Sequence, residues 1–491
     1  MTEEKRVLAF DFGASSGRAV VGTFDGRTIH MEEVHRFAND PVMVRGTMYW
    51  DVLRLFHEIK QGMTKAHLSG PVASIGIDTW GVDFGLLDQR GNLLENPVHY
   101  RDRRTAGMVE EAFRHIPQEK LYGITGNQIM PINTLFQLLS LKEQRPELLA
   151  QAKTLLFMPD LLNYFLSGVC RAEYSIASTS QMLDARRRCW SKTVLDALDL
   201  PDSILPEIIP TGTCIGTLDA ALCEELGLEP AEVIAVAGHD TQSAMAAVPT
   251  EQQEFLFLSC GTWSLLGTEL AEPVINEASE RANITNEGGY GGKASFLKNI
   301  IGLWLIQECR RQWMREGHEY SFGELEQLAR AAEPFRSFIH PDAPEFVPSG
   351  NMPARIRDYC RRTGQPVPES VGAIVRCIDE SLAMRYHQAA VELEECLDHT
   401  YPRLHMIGGG IQSRLLCQMT ADACGKEVLA GPVEATVLGN IALQLLSVGA
   451  IESLREARRI IRDSESIQAY QPQEAERWQE EYQRWEAVTS C

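Results

Sequence analysis

The amino-acid sequence predicts an α/β fold divided into two domains. Its 491 residues exceed the size at which one hydrophobic core stops growing, so we expect one domain over residues 1–245 and a second over 246–491. The apolar run 233–237 ends in glycine and polar residues before the small-residue run 244–247, which is typical of a buried strand, a tight turn and a helix. Such a strand needs both faces covered, so we expect helices packed on a sheet.

The first element is a strand, a glycine-rich turn and a second strand over residues 7–24. The turn consists of Ala14, Ser15, Ser16, Gly17 and Arg18. It offers backbone N–H groups, two hydroxyls and a guanidinium to an anion, and Asp11 stands where a carboxylate can hold Mg²⁺. A solvated hairpin explains the turn equally well. The segment also matches the hydrolase motif G-x-S-x-G, but that motif requires a helix where this chain continues with β-branched residues.

Residues 73–88 again predict a strand, a polar turn and a strand. Trp80 and Gly81 lie between Asp78 and Asp83, which suits a sugar site because an aromatic face stacks on C–H groups while carboxylates accept hydroxyl protons. A core tryptophan with two turn-capping acids is an equally good interpretation. The loop 97–105, which contains Asp102, is either an Arg/Asp network or a substrate-facing loop, and the network is favoured.

Apolar residues at helical spacing predict several further helices. The expected helices cover residues 52–68, 132–144, 160–166, 191–198 and 368–397. The segment 431–440 opens a helix of small residues, which we expect to pack closely against a neighbour, and the tail from Gln471 predicts a surface helix.

The stretch Gly238-His239-Asp240-Thr241 follows the central strand near the midpoint of the chain. In open α/β sheets, ligands bind at the carboxyl ends of the strands. Asp240, between an imidazole and a hydroxyl, is therefore a candidate general base for a small polar substrate. The alternative is an aspartate that caps the helix of its own turn.

The second half opens with a pattern like that of the first. Residues 254–267 predict a strand, a turn with Cys260 and Thr262, and a strand, so two such hairpins suggest a duplicated fold that holds a polyphosphate between its lobes. Residues 283–292 predict a mobile glycine loop. A long amphipathic helix is expected to start at Lys298, with Asn299 and Gln307 on one face.

Three consecutive glycines, Gly408–Gly410, follow the apolar run 404–407. They let the backbone approach a flat or anionic ligand closely, and a helix N-terminus beyond them favours negative charge. Neither the dinucleotide fingerprint G-x-G-x-x-G nor the P-loop motif occurs, so we expect any nucleotide to be held in another manner.

Composition excludes several classes of function. A net charge of −21 argues against binding nucleic acid or an anionic membrane surface, because both require a basic face. An anionic small ligand is compatible with this charge if backbone N–H groups, a few cationic side chains and a divalent cation hold it. The sequence defines no oligomeric state.

Cysteine usage and the chain start both favour the cytoplasm. The 12 cysteines are scattered singly without a C-x-x-C motif, as expected for reduced thiols. The chain start has no apolar signal core, and no apolar run approaches the length of a membrane span.

Seven motifs together resemble those of the FGGY carbohydrate kinases, and the resemblance covers nearly the whole chain in order and spacing. They are Asp11–Gly13, Ile77–Phe84, Tyr100–Thr105, Gly238–Thr241, Ser259–Ser264, Gly408–Gly410 and the segment 431–440. The resemblance implies two actin/hexokinase-like (ribonuclease H-like) domains, each with a mixed central sheet, and an interdomain cleft. It also implies sugar binding by residues 1–245 and MgATP binding by residues 246–491.

The activity that the resemblance implies is ATP-dependent phosphorylation of L-rhamnulose at O1, giving L-rhamnulose 1-phosphate and ADP, with Asp240 as the catalytic base. The implied substrate contacts are Gly81, His239, Asp240, Thr241 and Asn299. The implied nucleotide contacts are Ala14, Ser15, Ser16, Gly17, Arg18, Thr262, Gln307 and Gly409. Asp11 matches the acid near Mg²⁺.

Departures from the family pattern keep rivals open. Thr241 stands where many relatives have glutamine, which argues against a glycerol or xylulose kinase, and Cys260 replaces a usual serine. Cys360 and Cys377 match a cysteine pair of similar kinases, but we expect no disulfide in a reducing compartment. The rivals are a kinase for L-fuculose or L-ribulose and a non-catalytic nucleotide clamp of the actin or chaperone type.

Overall fold

The computed structural model describes residues 4–252 and 254–489. The chain divides into two compact units. The first unit contains Met1–Gln253, Glu269–Phe296 and Ala435–Glu465, and the second contains Glu254–Thr268, Leu297–Glu434 and Ser466–Cys491. Cys491 lies outside the described residues.

The strands alternate with helices along the chain, as expected for an α/β protein. The strands are β1 Lys5–Phe12, β2 Ser16–Phe24, β3 Ile29–Ala38, β4 Val42–Val44, β5 Thr47–Tyr49, β6 Ser74–Thr79, β7 Phe84–Leu87, β8 Thr154–Phe157, β9 Ala172–Glu173, β10 Leu183–Asp184, β11 Cys189–Trp190, β12 Ile208–Ile209, β13 Thr213–Thr217, β14 Glu232–Ala235, β15 Leu256–Cys260, β16 Trp263–Leu270, β17 Thr285–Gly288, β18 Ala294–Ile301, β19 Arg403–Ile407, β20 Glu427–Ala430 and β21 Gln468–Tyr470.

The helices vary from single turns to the long α15. They are α1 Val52–His67, α2 Met108–Phe113, α3 Gln118–Thr125, α4 Thr134–Gln144, α5 Pro146–Gln151, α6 Met158–Ser167, α7 Tyr174–Ser178, α8 Lys192–Ala197, α9 Ala220–Leu226, α10 Asp240–Ala246, α11 Glu277–Arg281, α12 Trp304–Arg315, α13 Phe322–Ala331, α14 Met352–Arg362, α15 Val371–Leu397, α16 Arg414–Cys424, α17 Ala435–Ser447, α18 Leu454–Ser464 and α19 Ala475–Thr489. In the described part of the chain, no helix has the length and apolar character needed to cross a membrane.

The main sheet of the first unit is mixed. Its strand order is β13-β14-β6-β1-β2-β3, in which β1 runs antiparallel to β2 and parallel to β6. β14, which precedes Gly238–Thr241, runs parallel to β6, so the carboxyl ends of both strands lie on the same side of the sheet. Apolar side chains of the central strands β14, β6 and β1 are fully buried in the core, as at Phe10, Ile77 and Val233.

The second large sheet repeats this plan. Its order is β17-β18-β16-β15-β19-β20-β21, and β15 runs antiparallel to β16 and parallel to β19. Each sheet therefore starts from a hairpin whose first strand has a parallel neighbour on its other side. The predicted fold class, α/β with a mixed sheet in each half, is confirmed.

The predicted helices are present with similar bounds. α1 begins at Val52, as predicted, and its N-cap is Asp51, whose side chain accepts a hydrogen bond from the Arg54 N–H at 3.3 Å. The predicted tail helix is α19, but it is not only a surface helix, since Trp478 and Trp485 are buried.

Two predictions for the second half are wrong. Residues Thr285–Gly288, expected in a mobile loop, form β17, and all of them are buried. The helix expected from Lys298 begins only at Trp304. Lys298–Ile301 instead forms the end of β18, and Gly302 lies between this strand and α12. Asn299 and Gln307 therefore lie on a strand and a helix, and share no helix face.

α17 packs closely on α10, as its small residues predicted. A Cβ atom added at Gly439 would overlap the carbonyl oxygen of Ser243 on α10. Neither helix can shift easily to make room for the added methyl group. A short turn joins α10 to β14, and α17 also packs on β1.

We predict that Gly439→Ala lowers the free energy of unfolding by about 2 kcal/mol or more, because the added methyl group has no space. Urea unfolding followed by tryptophan fluorescence measures this change. The matched control is Gly123→Ala in α3, where no atom lies within 4 Å of the added Cβ. That control should be neutral or stabilising by about 0.5–1 kcal/mol, and equal losses in both variants would contradict the close contact.

Candidate active site

Asp240 is the first residue of α10, just beyond the end of β14. His239 is the N-cap residue and makes no side-chain capping bond, so the alternative in which Asp240 caps its own helix is wrong. The Asp240 carboxylate accepts a hydrogen bond from the Thr241 hydroxyl at 3.2 Å. Its side chain is 32% exposed, whereas its neighbours His239 and Thr241 are buried, so this carboxylate is available to a ligand.

The turn before α10 is joined to the end of β6. The Thr79 N–H donates to the Gly238 carbonyl at 2.9 Å, and Thr79 and His239 form a parallel bridge. Gly81 follows this contact, and a Cβ added there would lie 3.5 Å from His239 Nε2. The structure therefore brings together Gly81, His239, Asp240 and Thr241, four residues that the sequence analysis singled out.

Glu173 holds this turn, and sequence reasoning missed it. Its carboxylate is buried and accepts hydrogen bonds from the backbone N–H groups of Gly238 at 3.0 Å, Ser175 at 2.9 Å and Ile176 at 3.1 Å. The hydroxyls of Ser175 and Thr211 also donate to it. Burial raises the pKa of Glu173, and these donors oppose the rise.

His239 lies between two carboxylates. Its Nδ1 is 3.0 Å from Oε2 of Glu287, and its Nε2 is 3.5 Å from Oδ1 of Asp240. Burial alone would lower the pKa of His239, but the Glu287 carboxylate, followed by Asp240, raises it above its ordinary value. The imidazole is therefore stabilised in its protonated form.

Three acids, Asp11, Asp78 and Asp240, lie near one another where β1, β6 and β14 end, and their charges interact. Asp11 and Asp78 are register partners on β1 and β6. Burial and then the Asp11 charge raise the pKa of Asp78 well above its usual range. Burial also raises the pKa of Asp240; the His239 charge opposes this, and Asp11 adds to it. The negative charges at this end of the sheet therefore oppose the ionisation of Asp78 and Asp240.

Asp11 and Asp78 each have one oxygen committed to a protein partner. The Arg18 guanidinium donates twice to Oδ2 of Asp11, at 2.8 and 3.0 Å. Asn440 donates to Oδ2 of Asp78 at 2.6 Å, while Oδ1 of Asp78 is buried without a hydrogen-bond partner. Over residues 4–252 and 254–489, no group of three or more His, Cys, Asp or Glu side chains is arranged to hold a metal ion by itself.

Two further sugar-site candidates of the first unit, Asp83 and Trp80, make contacts within the core. The buried Asp83 carboxylate accepts hydrogen bonds from Trp50, Trp80, Tyr100 and Gln137. Burial raises the pKa of Asp83 to about 6. Trp80 is buried with its ring 4.0 Å from that of Trp50, which favours the interpretation as core.

Asp102 caps the single turn Arg103–Thr105 through its side chain, a role that neither interpretation of this loop described. Its carboxylate accepts hydrogen bonds from the N–H groups of Met48 at 2.8 Å and Arg104 at 2.9 Å. Gln137 accepts from the Arg104 guanidinium at 2.7 Å. The loop is therefore tied to its own unit through several polar contacts.

The glycine-rich turn of the first unit has an open tip and a packed base. The Gly13 N–H donates to the Ser16 carbonyl at 2.9 Å, and Ser15 is exposed between them. Ala14 and Arg18 are partly exposed. Gly17 is required by packing, since a Cβ there would overlap the Phe37 ring.

In the second unit, the structure pairs two predicted nucleotide contacts. Gln307 Nε2 lies 3.3 Å from the Thr262 hydroxyl. Gly409 is exposed, with open space where a Cβ would stand. Cys260 instead is fully buried, and its sulfur fills the space beside Gly410. Asn299 lies on β18 of this unit.

The cysteines are free thiols in the described residues. Cys360 and Cys377 are both buried, and a hydrogen bond between the two thiols lowers the pKa of Cys360. The two side chains are therefore neighbours in the second unit, as their resemblance implied.

Family models, curated relatives and solved structures all identify sugar kinases as the proteins to which this chain is similar. The N-terminal domain model of the FGGY family of carbohydrate kinases matches residues 6–247, and the C-terminal domain model matches residues 256–448. The chain is similar to the rhamnulokinase of Bacteroides thetaiotaomicron, with 44% identity over 98% of both chains. It is also similar to the rhamnulokinase of Halalkalibacterium halodurans, with 41% identity over 94% of this chain and 98% of the relative.

Solved structures share the fold at low sequence identity. A ligand-bound xylulose kinase from Lactobacillus acidophilus has a TM-score of 0.81 and 17% identity, covering 99% of this chain and 97% of its own. Plasmodium falciparum glycerol kinase with ADP has a TM-score of 0.78 and 16% identity, with the same coverage of 99% and 97%.

We predict that Glu173→Gln lowers the free energy of unfolding by about 2–3 kcal/mol, because an amide NH₂ would face at least one of the backbone N–H donors. Urea unfolding measures the loss. Glu232→Gln, an equal change of charge at an exposed position of β14, is the matched control and should be nearly neutral. Unchanged stability in Glu173→Gln would show that the carboxylate does not hold the turn.

Proposed function

The chain belongs to the FGGY family of carbohydrate kinases, and from this premise we propose that it transfers the γ-phosphoryl group of ATP to O1 of L-rhamnulose. The products are L-rhamnulose 1-phosphate and ADP. The observation that carries the choice of sugar is the identity of 41–44% with rhamnulokinases over at least 94% of this chain. The position of Asp240 beside the buried His239, whose pKa is raised by the Glu287 carboxylate, supports the chemistry.

In this proposal Asp240 is the general base. The hydroxyl of Thr241 orients the carboxylate through Oδ1, and the partial exposure of the side chain admits the O1 hydroxyl of the ketose. Since phosphoryl transfer depends mainly on positioning and charge stabilisation, Asp240 orients this hydroxyl and takes its proton late. The raised pKa of Asp240 brings its basicity closer to neutral pH.

We assign sugar binding to the residues around this base. Gly81 leaves room beside Nε2 of His239, and His239 and Thr241 offer polar groups to the sugar. Asn299, on β18, is assigned to the sugar from its position in the family pattern. We accordingly propose that residues 1–245 bind most of the sugar and residues 246–491 most of the nucleotide.

The nucleotide is assigned to the two hairpin turns and the glycines. The contacts are Ala14, Ser15, Ser16, Gly17 and Arg18 in the first turn, Thr262 and Gln307 in the second unit, and Gly409. The mutual repulsion of Asp11, Asp78 and Asp240 fits a Mg²⁺ ion held at Asp11. When bound, Mg²⁺ supplies charge neutralisation for the polyphosphate.

We predict that Asp240→Asn lowers kcat for L-rhamnulose about 10²–10⁴-fold, because an amide cannot accept the hydroxyl proton. The affinity for ATP should stay within about threefold, since the substitution keeps the shape of the side chain. Coupled ADP release measures kcat, and calorimetry measures ATP binding. Asp196→Asn on α8, whose side chain is largely exposed, is the control and should match the parent protein. Normal turnover by Asp240→Asn would remove the assigned role.

A panel of ketoses separates the proposal from its rivals. We predict that L-rhamnulose has a kcat/KM at least about tenfold above L-fuculose, L-ribulose and D-xylulose, because a polar pocket rejects sugars that leave its groups unpaired. A different preferred ketose would change the substrate but keep the activity. Nucleotide binding without phosphorylation of any sugar would favour the non-catalytic clamp.

A further inference from the structure

Glu287 is a buried acid that sequence reasoning placed in a mobile loop. It lies on β17 with only 5% of its side chain exposed. Its Oε2 atom is 3.0 Å from Nδ1 of His239 and 3.2 Å from Nε2 of Gln242. The N–H of Nδ1 is not aligned on this oxygen, so the contact with His239 is an ion pair more than a directed hydrogen bond.

The neighbours of Glu287 fix its backbone. The Asn286 side chain accepts from the Val274 N–H at 2.8 Å and donates to the carbonyls of Val274 and Gly126. On the other side, the Gly288 N–H donates to the Ser178 hydroxyl at 2.7 Å. Glu287 therefore stands at a defined position relative to α10.

Gln242 fixes the direction of the Glu287 side chain. The Ser295 hydroxyl donates to Oε1 of Gln242 at 2.6 Å, which leaves the amide NH₂ directed at the Glu287 carboxylate. Gln242 is itself on α10, three residues after His239. The side chains of His239, the N-cap residue of α10, and of Gln242, within α10, therefore both contact the Glu287 carboxylate.

We propose that Glu287 is a positioning residue for phosphoryl transfer: its charge beside Nδ1 favours the protonated His239 ring, whose Nε2 faces Asp240 and keeps that base ionised. The proposal rests on the function proposed above. It assigns Glu287 no contact with sugar or nucleotide. Its effect passes through the imidazole, whose Nε2 is 3.5 Å from Oδ1 of Asp240.

The charges around His239 favour this assignment. The groups that act on the imidazole are Glu287 on β17, Asp240 on α10 and Glu173 on β9, and all three are acids that raise its pKa. A protonated imidazole in turn lowers the pKa of Asp240, against burial and the Asp11 carboxylate, which raise it. Removal of the Glu287 charge would therefore lower the pKa of His239 and raise that of Asp240.

The proton balance of the reaction is simple in this arrangement. As the bond from O1 to the γ-phosphorus forms and the bond from that phosphorus to the bridging oxygen of ADP breaks, the O1 proton passes to Asp240. His239 keeps both of its ring protons throughout. Glu287 takes no part in this proton transfer.

The test compares Glu287→Gln and Glu287→Asp in the full-length protein. The control is Glu272→Gln, which removes a charge whose ion-pair contact is with Arg188 at 3.7 Å. Histidine labelled with ¹⁵N gives the pKa of His239, assigned by the signal that disappears in His239→Asn. The pH dependence of kcat for L-rhamnulose gives the apparent pKa of the base.

We expect Glu287→Gln to lower the pKa of His239 by about one unit or more. Below the pKa of the base, the rate falls about tenfold for each pH unit. Where the imidazole of the variant has lost its proton and that of the parent protein has kept it, the missing positive charge raises the pKa of Asp240, so the acid limb of the kcat profile should move to higher pH. Glu287→Asp should restore most of both values, and KM for ATP should change less than about twofold.

Two results would overturn the proposal. One is a Glu287→Gln protein in which neither the pKa of His239 nor the acid limb moves relative to Glu272→Gln. The other needs no variant: a His239 pKa below about 6.5 in the parent protein would mean that the imidazole is not held protonated. This second measurement decides the matter if Glu287→Gln does not fold.

The outcome is separable from that of the proposed function. If the parent protein phosphorylates no ketose, the proposed function fails, while the titration of His239 still reports whether Glu287 favours the protonated ring. If the parent protein is active and the titration is unaffected in Glu287→Gln, only the positioning role fails.

Discussion

The geometry of the candidate site depends on one buried carboxylate, that of Glu173. It accepts hydrogen bonds from the turn that carries His239 and Asp240 and from the first turn of α7, so it joins two segments far apart in the sequence. Because every partner is a donor, only an ionised acid satisfies them all. The cost of burying that charge is offset within the protein, and the position of Asp240 follows from it.

A second constraint is the concentration of acids at the carboxyl ends of β1, β6 and β14. The Asp11 charge raises the pKa of both Asp78 and Asp240, while Arg18 forms an ion pair with Asp11 and His239 lies beside Asp240. An imidazole is a suitable partner for a base because its charge depends on its surroundings. Glu287 supplies those surroundings from β17, which makes a strand distant in sequence part of the electrostatics of the site.

Local patterns in the sequence were sufficient for much of the fold. Strand–turn–strand hairpins, helix periodicity and the apolar strand before Gly238 all correspond to elements of the structure, because each pattern reports local burial. These patterns were insufficient where contacts between residues distant in the sequence determine the secondary structure. Lys298–Ile301 has residues compatible with a helix, but the chain pairs in a sheet there, and Thr285–Gly288 is polar yet buried.

The same limit applied to the site. Gly81, His239, Asp240 and Thr241 lie close to one another as the motifs indicated, whereas Glu173 and Glu287 carried no signal in their own neighbourhoods. Each is an isolated acid whose partners are brought to it by folding. Trp80 and Asp83 left two interpretations open, since an aromatic residue beside acids suits a sugar pocket and a hydrogen-bonded core equally well, and their mutual hydrogen bond favours the core.

The first unit is discontinuous, and this affects how the chain matures during synthesis. α17 and α18 belong to that unit, although more than 100 residues of the second unit precede them in the chain. A ribosome releases the amino-terminal residues first, so β1, β6 and α10 leave the exit tunnel long before the helix that covers them has been translated. The nascent first unit must therefore keep an apolar surface exposed until residues 435–465 have been translated.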